Sequence, residues 1–435
     1  MIEHPYWWDT VPPHADGSPR FAAPELAGSH PLPSSADVLV IGAGYTGLSA
    51  ARRLASSGAS VLVVDAESVG WGASSRNGGQ VLTGMRVDAP SLVRIYGERR
   101  ARAFFDAAGR AIANLETLVA SENIECGFER VGHVQAAWKR AHFRAFQVEQ
   151  TVLARVFDHV VHLVDRSGQR AEIGTDLYHG LLIDENSAAL NPAQYVMGLA
   201  AAATKAGACI IAGVKVEQVA RSASGWRVQL SGRRDLTARE ILVATNGYTG
   251  AATPLIQRRI VPVGSYIIAT EPLTETQAGA LLPTRRMAFD SKHFLYYFRV
   301  TSDRRLLFGG RAEFTPPNAQ SVRRAAAILR RGMTKVFPDL ASVRVDYAWG
   351  GNVAFTRDEL PHAGQIGGLY CAGGYGGHGI ALATEFGDLI ARRIAGAVVD
   401  NPLLDTAFPT MPFYRGTPWF LPFAGAYYKV KDWIS

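Results

Sequence analysis

Six residues constrain this chain more than any others: Gly42-Ala43-Gly44-Tyr45-Thr46-Gly47, set between an apolar, β-branched run and a stretch of helical spacing. The run before them, Val38-Leu39-Val40-Ile41, has the continuous hydrophobicity of a strand buried on both faces of a parallel sheet. After them Leu48, Ala51, Leu54 and Ala55 recur at helical spacing, and Gly58 stands where a helix ends. A second run, Val61-Leu62-Val63-Val64, stops at Asp65. Together these make one βαβ unit, whose crossover is right-handed. In that context Gly42 permits a tight turn, Gly44 lets the backbone approach a pyrophosphate, and Gly47 lets helix and strand pack closely. Tyr45 and Thr46 fill the variable positions of the same turn, at a helix N-terminus whose free N–H groups suit a phosphate. Asp65, about 20 residues on, is placed to accept hydrogen bonds from an adenosine ribose.

The fingerprint alone serves NAD and FAD equally, and two further glycine-rich segments decide between them. Gly70-Trp71-Gly72-Ala73-Ser74-Ser75-Arg76-Asn77-Gly78-Gly79-Gln80 follows the second strand directly. Gly373-Gly374-Tyr375-Gly376-Gly377-His378-Gly379 opens a helix near the C-terminus. A long, flat cofactor needs close backbone approach at both its phosphate end and its ring end. A helix N-terminus near the ring's pyrimidine carbonyl stabilises negative charge there. The expectation is therefore FAD.

The chain has 435 residues, 48% hydrophobic and 19% charged, enough for two or more domains with full cores. The pattern predicts an α/β protein: a Rossmann-like FAD-binding domain interleaved with an α+β substrate domain built on a mostly antiparallel sheet. The expected segments are an N-terminal arm over 1–35 lying on the surface, the FAD-binding domain over 36–95, 190–255 and 341–400, and the substrate domain over 96–189 and 256–340. An aromatic tail covers 401–435. Cys126, Cys209 and Cys371 are far apart and form no C-x-x-C pair, so neither a disulfide framework nor a metal site is indicated, and a reducing cytoplasm fits. The first residues carry an acid and a proline but no apolar core of a secretory signal, and no apolar run is long enough to span a bilayer. The net charge of +7 admits nucleic acid, an anionic membrane surface or an acidic ligand. The dispersal of the basic residues, with no nucleic-acid motif beside them, puts nucleic acid last.

Taken in order, Val38 to Asp65, the Gly72-to-Gln80 run, Ala244-Thr245-Asn246-Gly247-Tyr248, Arg305 to Gly310 and Gly373 to Gly379 resemble the D-amino-acid-oxidase and glycine-oxidase superfamily. Within it the likeness is greatest to gamma-glutamylputrescine oxidoreductases and bacterial L-pipecolate dehydrogenases, and it includes Ala426-Tyr427-Tyr428 near the end. The resemblance implies FAD held noncovalently by Gly42, Gly44, Gly47, Asp65, Ala73, Ser74, Arg76, Asn77, Gly78, Gly79, Gln80, Val214, Gly376, Gly377, His378, Gly379 and Ile380, with Thr245, Asn246 and Gly247 nearby. It also implies oxidation of a CH–NH bond by hydride transfer to flavin N5, giving an imine. Sarcosine oxidases attach their flavin to a cysteine near the stretch that here reads Gly350-Gly351-Asn352-Val353, where this chain has none. They also place over the flavin a lysine that promotes reaction with oxygen. The corresponding strand here, Arg305-Leu306-Leu307-Phe308, has Leu307 at that position. The expectation is a dissociable flavin and a dehydrogenase rather than a fast oxidase.

On the substrate side, amine oxidation by flavin needs positioning groups more than acids or bases. The strand Phe294-Leu295-Tyr296-Tyr297-Phe298-Arg299 alternates, so Tyr296 and Phe298 share one face and Tyr297 and Arg299 the other, and either face could line a pocket. Tyr297 could line a pocket and Arg299 pair a substrate carboxylate; equally, that face could be core and Arg299 solvated. His378 either touches substrate or caps its helix. Ala381 replaces the lysine with which sarcosine oxidases bind a carboxylate. The tail from Phe413 to Trp433, aromatic with interspersed cations, either packs on the domain or sits in a membrane interface. In the second case ubiquinone becomes the natural acceptor, at the inner face of the cytoplasmic membrane; otherwise the acceptor is a quinone or oxygen. Candidate substrates are L-pipecolate-like cyclic amino acids or gamma-glutamylputrescine-like amines. The alternatives are an oxygen-using amine oxidase and a noncatalytic FAD-binding subunit or tRNA-modifying scaffold.

Overall fold

A computed structural model of the protein describes residues 1–14, 17–21, 32–232, 234–310, 317–423, 425 and 427. Five strands lie side by side and parallel in the order Leu369–Gly373, Arg234–Val243, Ser35–Ile41, Val61–Val64 and Cys209–Ile211. An antiparallel strand, His362–Ile366, extends one edge, and the hairpin Val216–Ser222 and Gly225–Leu230 grows from Arg234–Val243. Starting from Ser35–Ile41, the chain first builds the sheet in one direction and later in the other, so the strand order reverses there. In open α/β sheets a ligand crevice forms at such a reversal, beyond the strands' C-terminal ends. Ile41 stands level with both Val64 and Val243, so the turns that begin at Gly42, Asp65 and Ala244 converge on one place.

The fingerprint helix Tyr45–Ser56 covers one face of this sheet and packs against the helices Pro192–Lys205 and Gly379–Ile394. Gly387 makes the last contact feasible: a Cβ there would stand 2.3 Å from the carbonyl oxygen of Thr46. Leu48, Leu54, Leu199 and Phe386 fill the interface and are almost wholly buried, each contributing roughly 1.5–3 kcal/mol by leaving water. The long helix Glu98–Ser121 lies in a segment that the sequence places in the second domain. It packs on Gly379–Ile394 and buries Phe104, Ile112 and Leu115 in the same core.

The second sheet has the order Val345–Phe355, Val261–Thr270, Leu306–Gly310, Tyr296–Val300, Met287–Asp290, His133–Ala136, Leu181–Asp184 and His162–Val164. Only Met287–Asp290 and His133–Ala136 run parallel; every other neighbouring pair is antiparallel. The helix Ala319–Val336, started by a capping box between Asn318 and Ser321, covers the outer face over Phe298 and Phe308, with its C-cap Phe337 packed edge-on against Phe298. The inner face, with Ser265, Ile267 and Tyr297, turns toward the first sheet. The strand Val345–Phe355 ties the two halves together: Trp349 Nε1 donates to the Arg76 carbonyl at 2.9 Å, and the Gly376 N–H donates to the Ala354 carbonyl at 2.9 Å.

The N-terminal arm differs from the expected surface appendage. Tyr6–Thr10 forms a 3-10 turn with Tyr6 and Trp7 buried, because these aromatic rings fill the seam between the two halves. No helix among the described residues is long and apolar enough to cross a membrane.

Candidate active site

One cavity of ≈ 790 Å³ runs from the fingerprint turn between the two sheets to the second sheet's inner face. At its first end Gly42 has φ +108°, and a Cβ there would lie 2.9 Å from the Ala244 carbonyl oxygen. A Cβ on Gly44 would meet Ser74 Oγ at 2.8 Å. Asp65 fixes the turn as well as facing the cavity: Oδ2 accepts from the Ala43 N–H at 2.7 Å and Oδ1 from the Glu67 N–H at 2.9 Å. Burial raises its carboxyl above the ordinary range, against these hydrogen bonds. The Val214 N–H donates to the Asp65 carbonyl at 2.8 Å, which holds Val214 at the same end.

The second glycine-rich segment forms the cavity's middle. Ala73–Arg76 is one helical turn; Tyr45 OH donates to the Ser74 carbonyl, and the Gly79 N–H to Asn77 Oδ1 at 2.8 Å. Arg76 donates from Nε to the Trp71 carbonyl and from Nη1 to the Gly350 carbonyl, and burial lowers its pKa. Asn246 Oδ1 accepts from the Gly374 N–H at 2.9 Å and so joins the strand-ending turn to the third glycine segment. That segment opens the helix Gly379–Ile394, whose N-cap is His378 with no side-chain cap. The fingerprint helix, with Gly44 as N-cap, likewise lacks one. Two helix N-termini therefore face one cavity, the first with its Tyr45 N–H given to Ser74 Oγ at 3.1 Å, and their positive ends suit a pyrophosphate and a reduced ring. These features fit FAD.

The far end holds the substrate-side groups. Tyr297 lines the cavity with Leu82, Phe289 and Leu295. His378 also lines it; its Nδ1 is buried without a hydrogen-bond partner, and desolvation, reinforced by the Arg86 charge, pushes the imidazole down to about 4. Arg86, which sequence reasoning missed, stands over the Phe355 ring at 4.7 Å. Its Nε is buried with no hydrogen-bond partner, and Glu359 lies 3.6 Å away. It sits in a loop with no periodic pattern, so nothing in the sequence marks it. Leu295 falls in the aromatic stretch that did carry a signal; Phe289, on the neighbouring strand Met287–Asp290, lies outside it.

Most predicted residues gather on this cavity, but four do not. Gly47 serves packing alone: a Cβ would stand 2.0 Å from the Gly42 carbonyl oxygen. Gly79, at φ +70°, is pressed against the Leu190 carbonyl, and Gly247 against Asn352. Arg299, for which the sequence left a carboxylate partner and a solvated charge both open, is instead desolvated outside the cavity lining, where its Nη1 donates to the Gly79 carbonyl at 2.8 Å and the Leu190 carbonyl at 3.0 Å. Leu307 is buried and pairs with Ala269 and Arg299. The position of that strand beside Tyr297 is Gly309, which Tyr297 covers.

A cavity with phosphate-binding turns at one end and an aromatic-walled pocket at the other defines a flavoprotein oxidoreductase. The chain belongs to the DAO family, FAD dependent oxidoreductases, whose model matches residues 37–393. It is 33% identical over 433 residues to "Probable oxidoreductase OrdL" of Rhizobium meliloti, covering 98% of this chain and 97% of that one. It is 30% identical over 403 residues to gamma-glutamylputrescine oxidoreductase of Escherichia coli, covering 91% and 92%. Glycine oxidase from Geobacillus kaustophilus shares the fold, with a TM-score of 0.72 over 88% of this chain and 99% of that one at 19% identity.

Proposed function

We propose that the protein oxidises the CH–NH bond of an amine or amino acid that carries a carboxylate, giving an imine. The observation that carries this reading is the far end of the cavity, where Leu82, Phe289, Leu295 and Tyr297 surround the neutral imidazole of His378 and the unsatisfied Nε of Arg86. When bound, the flavin supplies the hydride acceptor. The chain's own residues bind, orient and exclude water, which is the larger share of what such a reaction needs. Arg86 pairs the carboxylate, Tyr297 and Phe289 fix the carbon skeleton, and His378 Nδ1 offers the substrate a hydrogen bond.

L-pipecolate-like amino acids and gamma-glutamylputrescine-like amines both carry the carboxylate that Arg86 requires. Anaerobic bleaching of the flavin absorption by pipecolate, proline, sarcosine, glycine, gamma-glutamylputrescine and putrescine tests this. Bleaching by a carboxylate-bearing amine, with a KM raised at least tenfold in Arg86→Met, is expected. No bleaching by any of them, or an unchanged KM in the variant, overturns it.

The reading extends to the acceptor. Ser265, Ile267, Tyr297 and Gly309 place no cation on the sheet face over the cavity, so a developing superoxide gains no electrostatic stabilisation from it. Reoxidation by air is expected to be slow, and rapid stopped-flow reoxidation refutes it. In the tail, Tyr414 and Leu421 pack on Val261 and Val263, while Phe413, Trp419, Phe423 and Tyr427 are exposed. Those exposed rings support peripheral membrane contact and a quinone acceptor; residues 428–435 lie outside the described structure, as do Ala426 and Tyr428. Equal liposome flotation of the full chain and a chain ending before Pro418 removes the idea.

A further inference from the structure

The N-terminal arm is bonded to both halves of the molecule. Tyr6 OH donates to Asp303 Oδ1 at 2.7 Å, and Tyr347 OH donates to Asp9 Oδ2 at 2.9 Å, both on the second-sheet side. Toward the first sheet, Asn191 Nδ2 donates to Thr10 Oγ1 at 2.8 Å, and Gln194 Nε2 to the Thr10 carbonyl at 3.1 Å. The two tryptophans between these anchors reach the second glycine-rich segment. Trp7 Nε1 donates to the Asn77 carbonyl at 2.9 Å, and Trp8 Nε1 donates to Ser75 Oγ at 2.8 Å. The residue between those two partners is Arg76. Its guanidinium carbon lies 4.8 Å from the Trp8 ring centre and 4.3 Å from that of Trp71. With Nε and Nη1 given to carbonyls, Nη2 has no hydrogen-bond partner among the described residues, and Arg76 lines the cavity.

We propose that the Tyr6–Thr10 turn is a positioning element of the flavin site: Trp7 and Trp8 hold Ser75–Asn77 and present the Arg76 guanidinium to the cofactor. The physical reason is entropic. An arginine side chain loses much rotamer freedom when it is fixed, and a cation stacked on two indoles has lost it before the ligand arrives. Without Trp8 the guanidinium keeps its two carbonyl acceptors and the Trp71 ring but loses the second indole and the hold on Ser75, so part of that ordering is deferred to cofactor binding and weakens it.

The test is titration of the apoprotein with FAD, followed by flavin fluorescence, together with the shape of the bound flavin's absorption band and the apoprotein's Tm. Trp8→Phe keeps a ring over Arg76 but loses the N–H to Ser75, and is expected to raise the Kd for FAD a few-fold. Trp8→Leu loses both and is expected to raise it more than tenfold, with a shifted absorption band. Wild-type Kd and band shape in both variants overturn the proposal, even if Tm falls, because the arm would then serve stability alone. Should Trp8→Leu fail to fold, Trp8→Phe decides: a raised Kd at unchanged Tm supports the proposal, and a wild-type Kd refutes it.

Discussion

His378 lets the pH dependence of this fold be worked out in advance. Its imidazole is held at about 4 against an ordinary 6.5, chiefly by desolvation, with the Arg86 charge acting in the same direction. The unfolded chain therefore takes up a proton at a pH where the folded chain does not, and stability rises with pH through that window. Above about pH 7 both states are neutral and the contribution vanishes. At pH 5 the unfolded state is favoured by about 2 kcal/mol, and below pH 4 by about 3 kcal/mol. His378→Asn keeps a polar side chain of similar reach but cannot titrate. Urea midpoints for the wild type and the variant, measured by tryptophan fluorescence between pH 4 and 7.5, isolate this contribution as the difference between two curves. The curves are expected to be offset by a constant near neutrality and to converge by about 2 kcal/mol at pH 5. Parallel curves across the whole range refute the assignment of a desolvated, neutral imidazole, and with it the hydrogen-bonding role given to His378.

Gly47→Ala forces a Cβ to within 2.0 Å of the Gly42 carbonyl and 3.0 Å of Val40 Cγ1, so the backbone must move. A loss of about 3 kcal/mol and of bound flavin is expected, read from the Tm and the flavin-to-protein ratio. Arg299→Met strips the Leu190 carbonyl of this donor and leaves the Gly79 carbonyl with the Leu190 N–H alone; it is expected to cost about 1–3 kcal/mol while leaving the substrate KM unchanged in whatever enzyme is loaded. A raised KM would return Arg299 to the substrate site. Cys126 and Cys371 are buried, and their thiols are pushed up to about 11 and about 12, whereas Cys209 is exposed. A thiol reagent at pH 8 should therefore titrate one group quickly and two more only on unfolding.

The cofactor end was legible because its demands fall on the backbone. Where a Cβ would lie 2.0–2.9 Å from a carbonyl oxygen, as at Gly42 and Gly47, a residue without one is required, and the sequence displays it. The parallel strands were legible for a similar reason, since burial on both faces demands the continuous apolar runs at Val38 and Val61. The substrate end is different. Alternation showed that Tyr297 and Arg299 share a face, but not that this face changes along the strand from cavity to interdomain seam. Arg86 reaches the site from an irregular loop, and its significance lies in a missing partner, which only a three-dimensional arrangement reveals. The packing of the arm is not legible in the sequence because a segment rich in proline, glycine and serine carries no periodicity, while its two tryptophans act through contacts some 70 residues away in sequence.

The two arginines of the substrate side decide which of them can read a carboxylate. Arg299 already donates to two carbonyls in the seam between the halves, and turning it toward a ligand would leave the Leu190 carbonyl without that donor, at about 1–3 kcal/mol, and the Gly79 carbonyl with the Leu190 N–H alone. Desolvation has also lowered it to about 10, and its guanidinium carbon lies 5.8 Å from the ring centre of Trp7 in the arm. Arg86 faces no such cost. Its Nε is unsatisfied, its only ionic neighbour among the described residues is a carboxylate at 3.6 Å on a side chain 46% exposed, and an incoming carboxylate would replace a weak partner with a strong one. Recognition by Arg86 therefore comes with displacement of Glu359. Removing that competitor in Glu359→Gln should lower KM for a carboxylate-bearing substrate several-fold and leave an uncharged amine unaffected. A KM lowered equally for both, or raised for the carboxylate, would mean that Arg86 does not do the reading.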